Sequence, residues 1–322
     1  MRCRRCREPS IIEIRRHNAA FCGPCLLHHC REQVVRAIHD FDMFEPQQRL
    51  LVAVSGGKDS LALWDILLEL GYAADGLYLG LGIDGPDGYS DASASFARRF
   101  AEEREALLVT VDLRRDYGYD IPTGAAAARR TPCSACGLSK RHLFNEAARA
   151  GGYDVVATGH NLDDEAAVLM GNVLRWNTDY LGRQLPVLPA TEGFVRKVKP
   201  LVRLAEREMA AYCIVRGIAY IVEECPMAAG NRHLGYKEAL NEIEDRSPGS
   251  KQAFYFGFLE RASPHFRPEA LEDQQELQPC PSCGAPTTSG SRCAFCALVA
   301  KASVAPVAPV PVSLGGHRRW EP

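Results

Sequence analysis

Two groups of residues in this chain have the types and spacing to do chemistry. The first follows a run of apolar residues, Leu50-Leu51-Val52-Ala53-Val54, as Ser55-Gly56-Gly57-Lys58-Asp59-Ser60. Adjacent glycines let a backbone come close to an anion and turn its N–H groups toward it. A helical pattern from about Leu61 to Leu70 follows, and a helix adds the positive end of its dipole at that point. Lys58 brings a mobile cation, and Asp59 is a carboxylate of the kind that holds magnesium beside phosphate oxygens. The order differs from G-x-x-x-x-G-K-[ST], so this is a phosphate loop of another type. Its candidate contacts are Ala53, Ser55, Gly56, Gly57, Lys58, Asp59 and Ser60.

The second group is cysteine. The chain has thirteen, and ten stand in C-x-x-C pairs. Cys3-x2-Cys6-x15-Cys22-x2-Cys25 and Cys280-x2-Cys283-x9-Cys293-x2-Cys296 have the spacing of four-thiolate zinc sites. His28, His29 and Cys30 stand close enough in sequence to compete with Cys25. Between these sets lies Cys133-Ser-Ala-Cys136, just before a helix beginning near Gly137, where a helix N-terminus favours the thiolate. Cys225, in Glu223-Glu224-Cys225-Pro226, follows an expected strand. If that strand joins the same sheet, its end reaches the ligand face. Three thiols there suit a redox pair with a bystander, an incomplete zinc site or three ligands of an iron–sulfur cluster, and spacing does not choose among them.

Further candidates flank these. Lys140 lies one helical turn beyond Cys136. Gly159-His160-Asn161-Leu162-Asp163-Asp164 again follows a strand pattern and opens a helix, so its acids either cap the helix or serve a second nucleotide-site loop. Cys213 falls within an apolar helical pattern and is expected in the core. Around the first cysteine set, Arg2, Arg4, Arg5, Arg7, Arg15, Arg16 and Arg31 outweigh Glu8 and Glu13 to give a local charge of +5, suited to an RNA backbone.

The elements that must position these residues are legible in outline. Residues 31–44 place apolar side chains at helical spacing up to Pro46. Strand candidates are Leu50–Val54, Gly76–Leu81, Leu107–Val111, Asp154–Thr158 and Ile218–Val222, with helical patterns near 92–104, 137–150, 162–174 and 206–216. Strands alternating with helices imply an α/β, doubly wound, mainly parallel sheet. The expected organisation is an N-terminal zinc module (1–30), a central domain (31–262) ending in two helices, a Pro/Glu/Gln-rich linker (263–279), a C-terminal zinc module (280–298) and an Ala/Pro/Val-biased tail (299–322). With 46% hydrophobic and 24% charged residues a packed core is expected, and a net charge of −2 leaves any nucleic-acid partner to local patches. No apolar run approaches a membrane span or a signal sequence, so a cytoplasmic protein with no membrane partner is expected, and with it metal ligation by the cysteines in place of disulfides.

Ser-Gly-Gly-x-Asp-Ser after an apolar strand resembles the pyrophosphatase loop of the PP-loop ATPases, which cleave ATP between the α- and β-phosphates and adenylate a carbonyl oxygen. SGGKDSLALWDIL, CSACGLSKR, GHNLDDEAAVL and EECP, in this order and between two cysteine modules, resemble the TtuA-type tRNA 2-thiolation enzymes over about residues 1–298. CGLSKR and GHNLDDEAAVL are more similar to enzymes acting on the T-loop 5-methyluridine at tRNA position 54 than to anticodon-uridine and cytidine thiolases.

The resemblance implies a PP-loop ATPase domain flanked by the two zinc modules, binding ATP with Mg2+ and two Zn2+. It implies a [4Fe–4S] cluster on Cys133, Cys136 and Cys225, catalytic roles for Lys140 and Asp164, and ATP contacts extending to Lys140 and Gly159. The implied chemistry is adenylation of the uridine C2 oxygen, then attack at C2 by sulfide held at the open iron. Sulfur would come from the C-terminal thiocarboxylate of a ubiquitin-like carrier protein, and a homodimer is implied. The alternatives are an anticodon wobble-uridine thiolase, a PP-loop ligase acting on a small molecule, and a non-catalytic zinc-ribbon RNA-binding protein. Both outer cysteine sets lie outside the ATP-binding segment, so loss of either is expected to spare the central thiols.

Overall fold

The computed structural model describes residues 1–84, 88–228, 232–266, 277–288 and 291–303. Most of the expected linker and tail therefore lies outside the described residues. The chain opens with a short antiparallel hairpin, β1 (Ile12–Ile14) and β2 (Ala19–Phe21), followed by helix α1 (Gly23–Asp40). This helix carries Cys25 and runs unbroken across the expected module boundary at residue 30. It stops before Phe44 because the backbone turns left-handed at Asp42, with φ 46°.

The central domain then alternates: β3 (Leu50–Val54), α2 (Lys58–Glu69), β4 (Ala74–Gly80), α3 (Tyr89–Glu103), β5 (Leu108–Asp112), α4 (Leu113–Tyr117), α5 (Ile121–Ala127), α6 (Pro132–Gly151), β6 (Val155–Thr158) and α7 (Leu162–Leu174). It continues through α8 (Thr178–Gly182), β7 (Val187–Leu188), β8 (Arg196–Val198), α9 (Glu206–Arg216), α10 (Arg232–Arg246) and α11 (Ser250–Gly257). A second hairpin, β9 (Gln278–Pro279) with β10 (Pro286–Thr287), and helix α12 (Ala294–Ala302) close the described chain. Among the described residues no helix is long and apolar enough to cross a membrane.

The sheet order is β5-β4-β3-β6-β8-β7, parallel throughout except for β7 against β8. From β3 the chain winds outward through β4 and β5, then returns to place β6 on the other side of β3. The crevice between β3 and β6 is therefore the topological switch point, where such sheets bind ligands at the carboxyl ends of their strands. One expectation fails here. Residues 218–222 are not a strand. They pass the glycine loop with a single hydrogen bond, Ile221 N–H to Gly56 O at 3.0 Å, and Val222 is 76% exposed. The sheet is completed instead by β8, whose sequence Arg-Lys-Val hides its role, because ladder hydrogen bonds come from the backbone and its polar tips reach past the apolar layer.

Both faces of the sheet are covered. On one face Trp64 of α2 packs on Phe100 of α3, with α1 and α9 in the same apolar layer. That layer also takes in Cys3, Cys22 and Leu26, so the first cysteine module is built onto this side. On the other face α5 and α6 pack with Phe295 and Leu298 of α12, together with Cys280 and Cys293. Each cysteine module thus belongs to one face of the sheet.

Candidate active site and metal centres

The glycine loop connects β3 to α2 at the switch point. Its shape is fixed internally: the Ser55 N–H donates to Ser60 Oγ at 3.1 Å, and that hydroxyl donates to Gly57 O at 3.0 Å. Gly56 has φ 76°, and a side chain there would lie 2.3 Å from Ser93 O, so only glycine fits. The loop after β6 comes in directly beneath. A side chain at Gly159 would lie 2.9 Å from Ser60 N, so this glycine lets the two loops touch.

The side chains then meet across the crevice. Asn161, fully buried, caps α7 by accepting from Asp164 N–H at 3.1 Å and donates to Asp59 Oδ1 at 3.0 Å. Asp164 accepts from Asn161 N–H at 3.1 Å and pairs with Lys237 of α10 at 2.6 Å. Lys58 contacts Asp59 at 3.2 Å and Glu206 of α9 at 2.7 Å. Burial raises the Asp59 carboxyl above its ordinary range, and Lys58 opposes this. Burial acts to lower the Lys58 ammonium, but Asp59 and Glu206 outweigh it and raise it. Asp163 points elsewhere: it accepts from Glu206 N–H at 2.8 Å and pairs with the buried ammonium of Lys251. Of the two adjacent acids, Asp164 faces the crevice and Asp163 fastens α7 to α9 and α11. A cavity of about 540 Å³ opens beside Lys58, walled by Glu206 and Lys251 and, from the first hairpin, by Ile14 and Arg16.

The thiols of Cys133 and Cys136 occupy the first turns of α6, which begins at a Thr131 cap. Cys225 approaches from the segment that runs past Gly56. Cys136 and Cys225 pack with Tyr89 and Met227, and Cys133 Sγ lies 3.7 Å from Met227 O. Lys140 stands beside Cys136. The expectation that the helix N-terminus lowers this thiol is not met: burial raises Cys136, with Cys225 and Cys133 adding to the rise and Lys140 opposing it.

The outer sets differ in shape. Cys3, Cys6, Cys22 and Cys25, and likewise Cys280, Cys283, Cys293 and Cys296, bring all four sulfurs within 4.8 Å of one another. Cys6 and Cys22 sulfurs are 3.4 Å apart, and Cys283 and Cys293 sulfurs 3.8 Å. A tetrahedral zinc with bonds of about 2.3 Å spaces its sulfurs by about 3.8 Å, so both sets suit one such ion. Burial would raise the Cys3 thiol, but N–H groups of Cys22, Cys6 and Arg5 bring it to about 6. His29 is spoken for by Glu208 at 3.0 Å and Cys30 is buried in the core, so neither joins the first set. The three central thiols do not make so tight a group. They are too open for one zinc, yet share one face, and a cluster that spreads its ligands over separate iron atoms suits them better.

Sequence reasoning missed Asn161, Glu206 and Lys237. Asn161 lies inside the 159–164 motif, where capping was expected of the acids; the cap is Asn161 itself. Glu206 and Lys237 come from helices distant in sequence and carry no local signal. Cys213 is buried as expected, its sulfur 3.4 Å from Lys58 O. Of the seven arginines in the basic module, Arg16 is not available to a partner: its side chain is 6% exposed and ion-paired with buried Glu208.

A parallel sheet with a glycine-rich loop at its switch point and a second, acid-bearing loop against it defines a PP-loop ATPase-type fold. Residues 2–27 match the N-terminal LIM domain of the 2-thiouridine synthetase TtuA. The chain is 47% identical over 298 residues to the tRNA-5-methyluridine(54) 2-sulfurtransferase of Thermus thermophilus, covering 92% of this chain and 91% of that one. It is 41% identical over 296 residues to the enzyme of the same name from Pyrococcus horikoshii, covering 92% and 93%. Among solved structures it resembles the U34-tRNA thiolase NcsA of Methanococcus maripaludis with its [4Fe–4S] cluster, with TM-score 0.73 and 26% identity over 82% of this chain and 89% of that one. The chain belongs to the TtuA-type family of tRNA 2-sulfurtransferases.

Proposed function

We propose that this protein is an ATP-dependent sulfurtransferase that converts the T-loop 5-methyluridine at tRNA position 54 to its 2-thio form. The observation that carries the reading is the convergence, at one end of one sheet, of the glycine loop, Asp164 and three thiols flanked by Lys140. Extensive similarity to sulfurtransferases named for uridine 54 supports the choice of nucleoside.

In this reading the Ser55–Ser60 loop and the N-terminus of α2 receive the ATP phosphates, with Lys58 neutralising charge. Asp59 and Asp164 would be the carboxylates that hold magnesium. The C2 oxygen of the uridine attacks the α-phosphorus, and the bond to pyrophosphate breaks. Sulfur then attacks C2, and the C2–oxygen bond breaks to release AMP. Lys140, which stands beside Cys136, would steady phosphate charge in the reaction. Cys133, Cys136 and Cys225 would hold a [4Fe–4S] cluster, which supplies, when bound, an iron without a protein ligand where sulfide can bind. The outer sets would each hold Zn2+. A carrier protein with a C-terminal thiocarboxylate as sulfur donor, and a homodimer, complete the proposal on family resemblance.

Nucleoside analysis of tRNA from a strain lacking this protein tests it. Loss of the 2-thio derivative of 5-methyluridine is expected. Loss confined to a thiolated wobble uridine would select the anticodon reading, which the likeness to the U34-tRNA thiolase keeps in view.

A further inference from the structure

Two side chains outside every motif complete the charge balance of the glycine loop. From Lys58 the contacts run to Glu206 at 2.7 Å, from Glu206 to Lys237 at 3.1 Å, and from Lys237 to Asp164 at 2.6 Å. Charge alternates along this chain, and its two ends are the residues assigned to the nucleotide. Glu206 occupies the first turn of α9, and Lys237 the second turn of α10. Burial would raise the Glu206 carboxyl, but Lys58 and Lys237 hold it below its ordinary range. Burial would lower the Lys237 ammonium, and Asp164 and Glu206 raise it instead. The side chains of Lys58, Glu206, Lys237 and Asp164 are 22%, 39%, 23% and 26% exposed, so an entering ligand can reach and rearrange them.

A polyphosphate entering this crevice meets Lys58 already engaged by a carboxylate. It also meets Glu206 and Asp164, two negative charges at the mouth of an anion site. Repulsion between unit charges a few ångströms apart stays substantial even at an effective dielectric of about 20. Lys237 lies against both carboxylates and is the cation that offsets them.

We propose that Glu206 and Lys237 are positioning residues of the nucleotide site. Glu206 holds the Lys58 ammonium at the mouth of the empty loop and yields it to the polyphosphate. Lys237 keeps Glu206 and Asp164 compensated while the polyphosphate enters. This rests on the reading of the Ser55–Ser60 loop as an ATP site.

The test is calorimetric binding of α,β-methylene-ATP with Mg2+ to the full-length protein and its variants. Lys237→Gln should weaken binding about tenfold, and Lys237→Arg should restore most of it, because the charge is what matters. Glu206→Gln should tighten binding a few fold by removing a competitor for Lys58. The double variant should bind at least as tightly as wild type, because Lys237 loses most of its role once Glu206 is uncharged, whereas simple additivity would leave binding about threefold weaker. Unchanged tRNA affinity and zinc content separate these effects from unfolding, and if Lys237→Gln does not fold, Glu206→Gln and Lys237→Arg still decide. Wild-type binding by Lys237→Gln, weakening by Glu206→Gln, or an additive double variant overturns the proposal. A wild-type protein that binds no analogue sinks the ATP reading itself, a distinguishable outcome.

Discussion

His142 of α6 stacks face to face on Phe295 of α12, with ring centroids 4.0 Å apart and planes 13° apart. This contact joins the C-terminal cysteine module to the helix that carries Cys133, Cys136 and Lys140. Phe295 also meets Tyr117 and Tyr119, and the Tyr119 hydroxyl reaches Ser139 of α6 at 2.9 Å. Position along the chain suggested that this module is independent of the central thiols; packing puts them in one core. Phe295→Ala should therefore cost about 3 kcal/mol or more and lower the iron content of anaerobically purified protein. Iron content equal to wild type would return the module to an independent role.

The central thiols should act as a set. Cys133→Ala, Cys136→Ala and Cys225→Ala are each expected to abolish thiolation and to strip iron from the protein, while both zinc ions remain. Metal analysis that finds zinc and no iron in active wild-type protein would rule out the cluster.

Lys58→Ala and Asp59→Ala should block formation of AMP while tRNA still binds, because the loop must hold phosphate and metal for the first step. Undiminished AMP release in either variant would remove the loop from the chemistry.

Asp65 of α2 tests the joint between α2 and α9. Its carboxylate has no solvent exposure and accepts from Tyr212 at 2.7 Å, Arg216 at 2.8 Å and Arg104 at 2.7 Å. Asp65→Ala should cost about 3–5 kcal/mol, since it leaves guanidinium groups facing an uncharged site. Burial would raise this carboxyl, but Arg216, Tyr212 and Arg104 lower it below its ordinary 3.8. The folded state thus binds the proton less readily than the unfolded one. The stabilisation is full above that ordinary value and is lost as pH falls through the lowered one. Denaturant melts of wild type and Asp65→Asn should accordingly begin to converge below about pH 4 and meet only below the lowered folded-state value.

Salt dependence separates arginines that can reach RNA from one that cannot. Arg4 and Arg5 are exposed, whereas Arg16 is locked to Glu208. Replacing Arg4 and Arg5 together with Ala should reduce the slope of log affinity for tRNA against log salt by up to about two. Arg16→Ala should leave the slope unchanged and destabilise the fold by about 3 kcal/mol or more, because Glu208 would stay buried without its partner. Equal slopes for wild type and the Arg4/Arg5 variant would show that these two do not touch the backbone of the RNA.

The sequence by itself determined what depends on neighbours in the chain. Ser55–Ser60 declared its chemistry because a phosphate loop is built from consecutive backbone groups, and Gly56 and Gly159 are there because no side chain fits. The two outer four-cysteine sets were legible for the same reason, two C-x-x-C turns each. Tertiary structure alone decided the rest. Residues 218–222 have strand composition but no strand, since the sheet position went to β8, whose charged residues give no apolar pattern. Glu206 and Lys237 reach the site from helices far along the chain, and nothing local in either helix marks them. Arg16 counted as surface charge until its burial against Glu208 was seen. Charge and burial are set by what a side chain faces, and that is fixed only when the sheet has brought distant segments together.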